Sequence, residues 1–419
     1  MRLPKRDRQE APVRGQTVDQ VSFKDLYRKS EYPVETADGW TLQVTRYQPV
    51  PRGNQPLFNE PLMLVPGFSQ NRHAWTSGEF VKNLLFFGID IHILELRGHG
   101  KSSIAFQRER AEALHRPLPV DIDYGWDLDS YFLYDLPAGI AAVKAVTGRP
   151  KIFFCGHSMG GMLGYGHAGL HDDFEGLITI GAASDLGRGF FFLRLMASMF
   201  PAAGVGIDVM LASYNAERKT RHAVRSLFAR TASRLKPSFG ARWDPGAAPT
   251  PVEFQSVPVK GWLMLLEKLL EKAEDQPFYE AAVHRLTWLS NPARVRGSDI
   301  RWLLREGSER EPRKVIEQFA RWIRRGEFRC YRTGYDFREG FSRIHIPMAI
   351  IFGDMDPLAS VSSTRGIYRA VRSEYLLWRP VKGNSHIELT MGHDIRQICY
   401  DIKNLLEYAV THRTPAPDS

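Results

Sequence analysis

The sequence predicts an α/β chain, a mostly parallel, doubly wound sheet interrupted by an inserted helical cap. Three observations carry that expectation. Short apolar runs of strand length recur at Leu62–Val65, Ile89–Leu96, Ile152–Cys155 and Leu177–Ile180, alternating with helical stretches such as Leu128–Val146. Between Ala183 and Ile344 the strand signal stops, and helical periodicities take over, including Val257–Lys272 and Arg313–Arg325. Strand-like runs then return at Met348–Phe352 and Tyr375–Trp378.

Taken in order, residues 1–28 read as a disordered basic tail. Met1 to Arg14 is polar and arginine-rich, without the apolar stretch of a secretory signal. Glu31 to Val50 reads as two strands joined at Asp38-Gly39, a strong hairpin turn. The first part of the core is expected over 29–184, the cap over 185–344, the second part of the core over 345–410, and a disordered tail over 411–419. A chain of 419 residues with 43% hydrophobic content can bury a substantial core. Its three cysteines, Cys155, Cys330 and Cys399, cannot form a disulfide framework, which points to a reducing, cytoplasmic setting. No run of about 18 apolar residues exists to span a bilayer. The net charge of +9 comes without a nucleic-acid recognition motif, so no nucleic-acid partner is expected.

The chemistry is concentrated in Gly156-His157-Ser158-Met159-Gly160, directly after the apolar run Ile152–Cys155. A buried strand running into G-x-S-x-G and then a small-residue helix is a nucleophile elbow. Ser158 must sit on a tight turn so that its hydroxyl projects above the sheet, and Gly156 and Gly160 keep side chains out of that turn. The helix that follows aims the positive end of its dipole at a developing oxyanion.

A serine hydroxyl needs a base, and the base needs an orienting acid. In the chain order this turn implies, the acid comes next and the histidine last. Met348–Phe352 ends in Gly353-Asp354-Met355-Asp356, at the edge of a parallel sheet where ligands collect. Asp356 is the expected acid, with Asp354 as the competing carboxylate. His386 follows in the turn-rich segment Gly383-Asn384-Ser385-His386, beyond the last strand. Asp356 lies 198 residues after Ser158, a gap that demands the insertion, and His386 lies 30 residues further on. Donors for the oxyanion are expected from the backbone amides of Met159 and Phe68, the latter after the strand Leu62–Val65 and Pro66-Gly67.

These motifs resemble the α/β-hydrolase superfamily, and the first half is most similar to its acid lipase branch, the gastric and lysosomal lipases. The matching pieces are Tyr32-Pro33-Val34-Glu35 with Asp38-Gly39-Trp40-Thr41-Leu42, Pro66-Gly67-Phe68 with Trp75 downstream, Trp126 ahead of Tyr134-Asp135-Leu136-Pro137-Ala138, Thr147-Gly148, and Gly156-His157-Ser158. Arg97-Gly98-His99-Gly100-Lys101-Ser102 matches a turn widespread in the superfamily. The resemblance covers about residues 30–184 and 345–405. It implies a serine hydrolase acting on an ester or related acyl bond, with Ser158, Asp356 and His386 as its triad. Pro66 stands where the branch usually carries histidine, and Met159 where it usually carries glutamine; both leave the backbone donors in place.

The cap carries the substrate clues. Gly189–Leu193 and Leu195–Phe200 are richly apolar and suit an acyl pocket as well as they suit ordinary packing, as do Tyr279, Trp288 and Trp302. The basic run from Arg218 through Lys236 suits an anionic headgroup, a membrane surface or a solvated helix face. Gly164-Tyr165-Gly166-His167-Ala168-Gly169 spells a dinucleotide fingerprint, but it falls inside the helix after the elbow, where small residues serve close packing. His167 and His171 lack the partners of a zinc motif, so neither metal nor cofactor is expected. The reading that follows is a serine hydrolase of apolar, lipid-like esters. An acyl-CoA thioesterase, an acyltransferase or a cofactor-free haloperoxidase would use the same triad, and a non-catalytic binding module would use none of it.

Overall fold

A computed structural model of the chain describes residues 17–51, 57–189 and 289–413, together with a few positions between 194 and 268. The chain opens with an antiparallel hairpin, β1 (Tyr27–Glu35) and β2 (Thr41–Pro49), turning through Asp38-Gly39. Then come β3 (Pro61–Val65), helix α1 (Phe80–Phe86), β4 (Asp90–Glu95), helix α2 (Leu136–Thr147) and β5 (Ile152–His157). Helix α3 (Met159–Ala168) leads to β6 (Phe174–Ile180). The insert between β6 and the next sheet strand holds two two-residue strands, β7 (Ser256–Val257) and β8 (Glu311–Pro312), and helix α4 (Arg313–Arg325). The core resumes with β9 (Met348–Gly353), helix α5 (Val361–Ala370), β10 (Leu376–Val381) and helix α6 (Ile395–Thr411).

Eight strands form one sheet in the order β1-β2-β4-β3-β5-β6-β9-β10, antiparallel in its first two pairings and parallel from β4 onward. Burial explains the pattern. Every residue of β3, β4, β5 and β9 is buried, because helices cover both faces of the sheet. Met63 and Phe154 pack on one face with residues of α2 and α3, while Leu62, Leu64 and Phe153 pack on the other with α1 and α6.

Two expected helices come out differently. Leu128–Val146 is not one regular helix, since a π turn over Tyr131–Asp135 precedes α2. Pro137 supplies the reason: it has no N–H to donate to the preceding turn, so the hydrogen-bond ladder changes register beside it. Within Val257–Lys272, Val257 pairs as a strand residue with Glu311, so the insert is not all helical. Met264 and Lys268 are helical, and the rest of that segment lies outside the described residues. Arg313–Arg325 forms as expected and ends at Gly326 in the left-handed conformation.

One polar knot sits inside this frame. Arg97, with no solvent exposure, reaches Asp38 in the β1–β2 turn (2.7 Å), Asp121 (3.2 Å) and Asp135 in the π turn (2.6 Å). Five guanidinium donors suit several carboxylates at once, which lysine could not match. The R-G-H-G-K-S turn thereby fastens three loops together.

Candidate active site

Between the end of β5 and the start of α3, Ser158 adopts φ 52° and ψ −118°. Such a conformation costs a non-glycine residue about 1–3 kcal/mol unless its surroundings enforce it. Here the Ser158 N–H donates to Ile180 O (2.8 Å), and its carbonyl accepts from Gly161 (3.0 Å) and Met162 (3.1 Å). The glycines answer to space. A Cβ on Gly156 would come within 2.3 Å of the Gly160 carbonyl, and one on Gly160 within 2.3 Å of Val65 O. The turn closes only without those side chains.

The structure brings Asp356 and His386 together. His386 Nδ1–H donates to Asp356 Oδ2 at 2.7 Å, and both residues are buried. Asp356 Oδ1 accepts from the amides of Leu358 (2.8 Å) and Ala359 (3.0 Å), which fixes the carboxylate. Asp354 is exposed and accepts instead from Gly383 N–H (2.7 Å), holding the turn before His386. Burial disfavours the charged imidazole, but the Asp356 carboxylate outweighs it and holds the His386 pKa above its ordinary value. Glu388 Oε1 accepts from Ser385 N–H (2.5 Å) and Asn291 N–H (3.0 Å), bracing the histidine loop. Among the described residues, no hydrogen bond joins the Ser158 hydroxyl to His386; such contacts often tighten only when substrate is bound.

Phe68 and Met159 border Ser158 in a cavity of about 300 Å³. Neither amide N–H has an acceptor among the hydrogen bonds of the described residues, and Met159 is the first residue of α3. The loop carrying Phe68 is held from below by Gln70, whose Oε1 accepts from Gly67 N–H (3.0 Å) and faces His157 Nδ1 (3.1 Å). Burial, reinforced by the neighbouring His386, drives the His157 pKa down to about 3, so this imidazole stays neutral and serves the loop.

The cavity wall is apolar. Ile316, Phe319, Ala320 and Ile323 of α4 line it with Met162, Leu186 and Leu358, and Phe68 meets Phe319 edge-on at 5.6 Å between centroids. From the sequence, Gly189–Leu193 and Leu195–Phe200 suit this wall as well as ordinary packing. Ala197 does line the cavity, while Phe190–Leu193 lie outside the described residues. The sequence places α4 in the cap but singles out none of its residues for this wall, although their spacing i, i+3, i+4, i+7 marks one face of a helix. Tyr279, Trp288 and nearly all of the basic run lie outside the described residues; Trp302 packs edge-on against His73, not into the cavity. The G-x-G-x-x-G string lies in and just past α3, where a Cβ on Gly164 would meet the Phe154 ring at 2.5 Å. His167 Nε2 is bonded to Asp173 (2.8 Å) at the end of that helix.

Comparison with known proteins finds relatives for part of the chain. Residues 60–236 match the family model described as serine aminopeptidase, S33. The chain is 30% identical over 164 residues to lipase member M of Mus musculus, covering 37% of this chain and 36% of that protein. It is 25% identical over 208 residues to lipase lipl-3 of Caenorhabditis elegans, covering 45% and 48%. With lysosomal acid lipase/cholesteryl ester hydrolase of Homo sapiens it shares 26% over 161 residues, covering 37% and 38%. The chain thus spans less than half the length of the curated relatives it matches. Its fold is that of the α/β-hydrolases, and its core sequence is similar to their acid lipase branch.

Proposed function

We propose that this protein is a serine hydrolase that cleaves apolar carboxylic esters, with residues 185–344 acting as a cap over the serine. The observation that carries the proposal is the setting of Ser158, a strained elbow serine opening into an apolar cavity also lined by Phe68 and Met159, whose amides have no acceptor among the described residues. In the reaction, Ser158 Oγ attacks the ester carbonyl carbon while His386 Nε2 takes its proton. Asp356 fixes the imidazole with its proton on Nδ1, and the amides of Phe68 and Met159 stabilise the oxyanion. Collapse expels the alcohol, protonated by His386, and leaves an acyl-enzyme. Water then attacks by the same proton path and releases the acid. A cavity of about 300 Å³ is at the small end of ligand sites, which favours a single acyl chain. Three buried free thiols suit the reducing, cytoplasmic setting we propose.

Fluorophosphonate labelling beside Ser158→Ala, run with p-nitrophenyl esters of increasing chain length, tests this. Labelling and turnover should both vanish in the variant, and the preferred chain length should measure the cavity. Folded wild-type protein that neither labels nor turns over ester would leave the hydrolase reading without support.

A further inference from the structure

The loop that carries the Phe68 amide is gripped from the insert. Ser69 O accepts from Glu309 N–H (2.8 Å), and Asn71 N–H donates to Gly307 O (3.0 Å). The Ser69 hydroxyl donates to Glu309 O (2.5 Å), and Asn71 Nδ2 donates to Glu306 O (2.9 Å) and to Glu309 Oε1 (2.7 Å). The Ser69 N–H, one residue past the proposed oxyanion donor, donates to Glu311 Oε1 at 2.5 Å. Ser69 sits at φ 58°, a left-handed conformation that serine adopts only when held there.

Glu311 is an unusual residue for that task. It has no solvent exposure, and it lies in β8, immediately before the helix α4 that lines the cavity. Its second oxygen accepts from the Tyr131 hydroxyl (3.2 Å), which in turn accepts from Trp126 Nε1–H (2.8 Å). His99 Nε2 stands 3.4 Å from Oε1, an ion-pair distance without hydrogen-bond alignment. Burial opposes a charge on His99, but Glu311, with Glu309 and Asp135 beyond it, holds its pKa above the ordinary value. A buried carboxylate with each oxygen engaged and an imidazole beside it is a device for holding one geometry.

We propose that Glu311 is a positioning residue that, through the Ser69 amide, aims the Phe68 N–H at the oxyanion. The proposal rests on the hydrolase reading given above. It assigns Glu311 no contact with substrate; its influence passes through one peptide unit. A peptide plane tilted away from the oxyanion loses stabilisation in the transition state and little in substrate binding, so kcat should fall while KM holds.

The test compares wild type with Glu311→Met, which fills the volume without an acceptor, Glu311→Asp, which keeps the charge but draws the carboxylate back, and Glu311→Gln, which keeps an acceptor in place. Each is assayed with a p-nitrophenyl ester and with an alkyl trifluoromethyl ketone, whose adduct on Ser158 carries the oxyanion. Glu311→Met should lose about 10- to 100-fold in kcat, with KM nearly constant and ketone affinity falling in proportion. Glu311→Gln should restore activity to within about fivefold of wild type. Should Glu311→Met not fold, Glu311→Asp carries the test, with the same loss in kcat and ketone affinity. A folded Glu311→Asp or Glu311→Met with wild-type kcat and ketone affinity overturns the proposal and leaves the hydrolase reading intact. A loss confined to KM or to thermal stability overturns it as well, since a merely structural residue would do that. Wild-type protein inert toward both ester and ketone overturns the two readings together.

Discussion

At Ser158 the backbone is bent to φ 52°, and the side chain that chemistry needs is the one the turn strains. The neighbouring choice between Asp354 and Asp356 turns on the same local geometry. Sequence favours Asp356 by its place in G-x-x-D but leaves Asp354, two positions earlier after the same strand, as a competitor, because both suit a turn. Burial separates them: Asp356 faces His386, while Asp354 holds Gly383 at the surface. Asp356→Asn should therefore lower kcat by about four orders of magnitude by presenting the wrong tautomer, whereas Asp354→Asn should leave it within a few-fold. The pH profile adds a signed expectation. His386 must be neutral to accept the serine proton, and its pKa is raised above 6.5 in the folded protein. Activity should therefore rise with pH through a midpoint above 6.5, and that midpoint should move down in Asp356→Asn. The stability that the His386–Asp356 pair contributes runs the other way: it is complete below the unfolded pKa and is lost as pH rises through the folded one. An acid limb unchanged by Asp356→Asn would assign the titration to another group.

The elements differ in how plainly the sequence declares them. Core strands such as Leu62–Val65 and Ile152–Cys155 are legible because burial on both faces leaves continuous apolar runs. The π turn before α2 is not, since a register change in the helical ladder leaves the apolar spacing almost intact. Helix α4 lies between these cases. Its periodicity reveals a helix, but an apolar stripe packs a core and lines a pocket equally well, so its role emerges only when Ile316, Phe319, Ala320 and Ile323 are found around one cavity. Ala320 is the small member of that stripe, buried in a cluster with Ile323 and lining the cavity. Enlarging it fills the cavity from the wall. Ala320→Phe should cut kcat/KM for long-chain p-nitrophenyl esters at least tenfold more than for the acetate. Equal losses across the series would place the acyl chain elsewhere.

Across the whole molecule, the two loops that carry the proposed chemistry share a support that neither motif announces. The His386 and Ile387 amides both donate to Leu289 O (3.0 Å each), and Asn291 Nδ2 donates to Gly383 O (2.5 Å). On the other side of the serine, Ser69 and Asn71 are bound to Glu306, Gly307, Glu309 and Glu311. One stretch of the insert, residues 289–312, therefore braces both the histidine loop and the oxyanion loop. Sequence reading could place each loop by its motif, but not the brace. Hydrogen bonds between segments from about 90 to 240 residues apart leave no periodicity to read. Loop amides normally exchange freely with solvent, because few partners protect them. Here the amides of Ser69, Asn71, His386 and Ile387 should exchange slowly and as one set, since a single opening of the insert releases all four. Low urea should speed that set and lower esterase activity in parallel, before the core strands β3 and β5 lose protection. If the two loops exchange at unrelated rates, or activity survives their opening, the insert covers the serine without organising it.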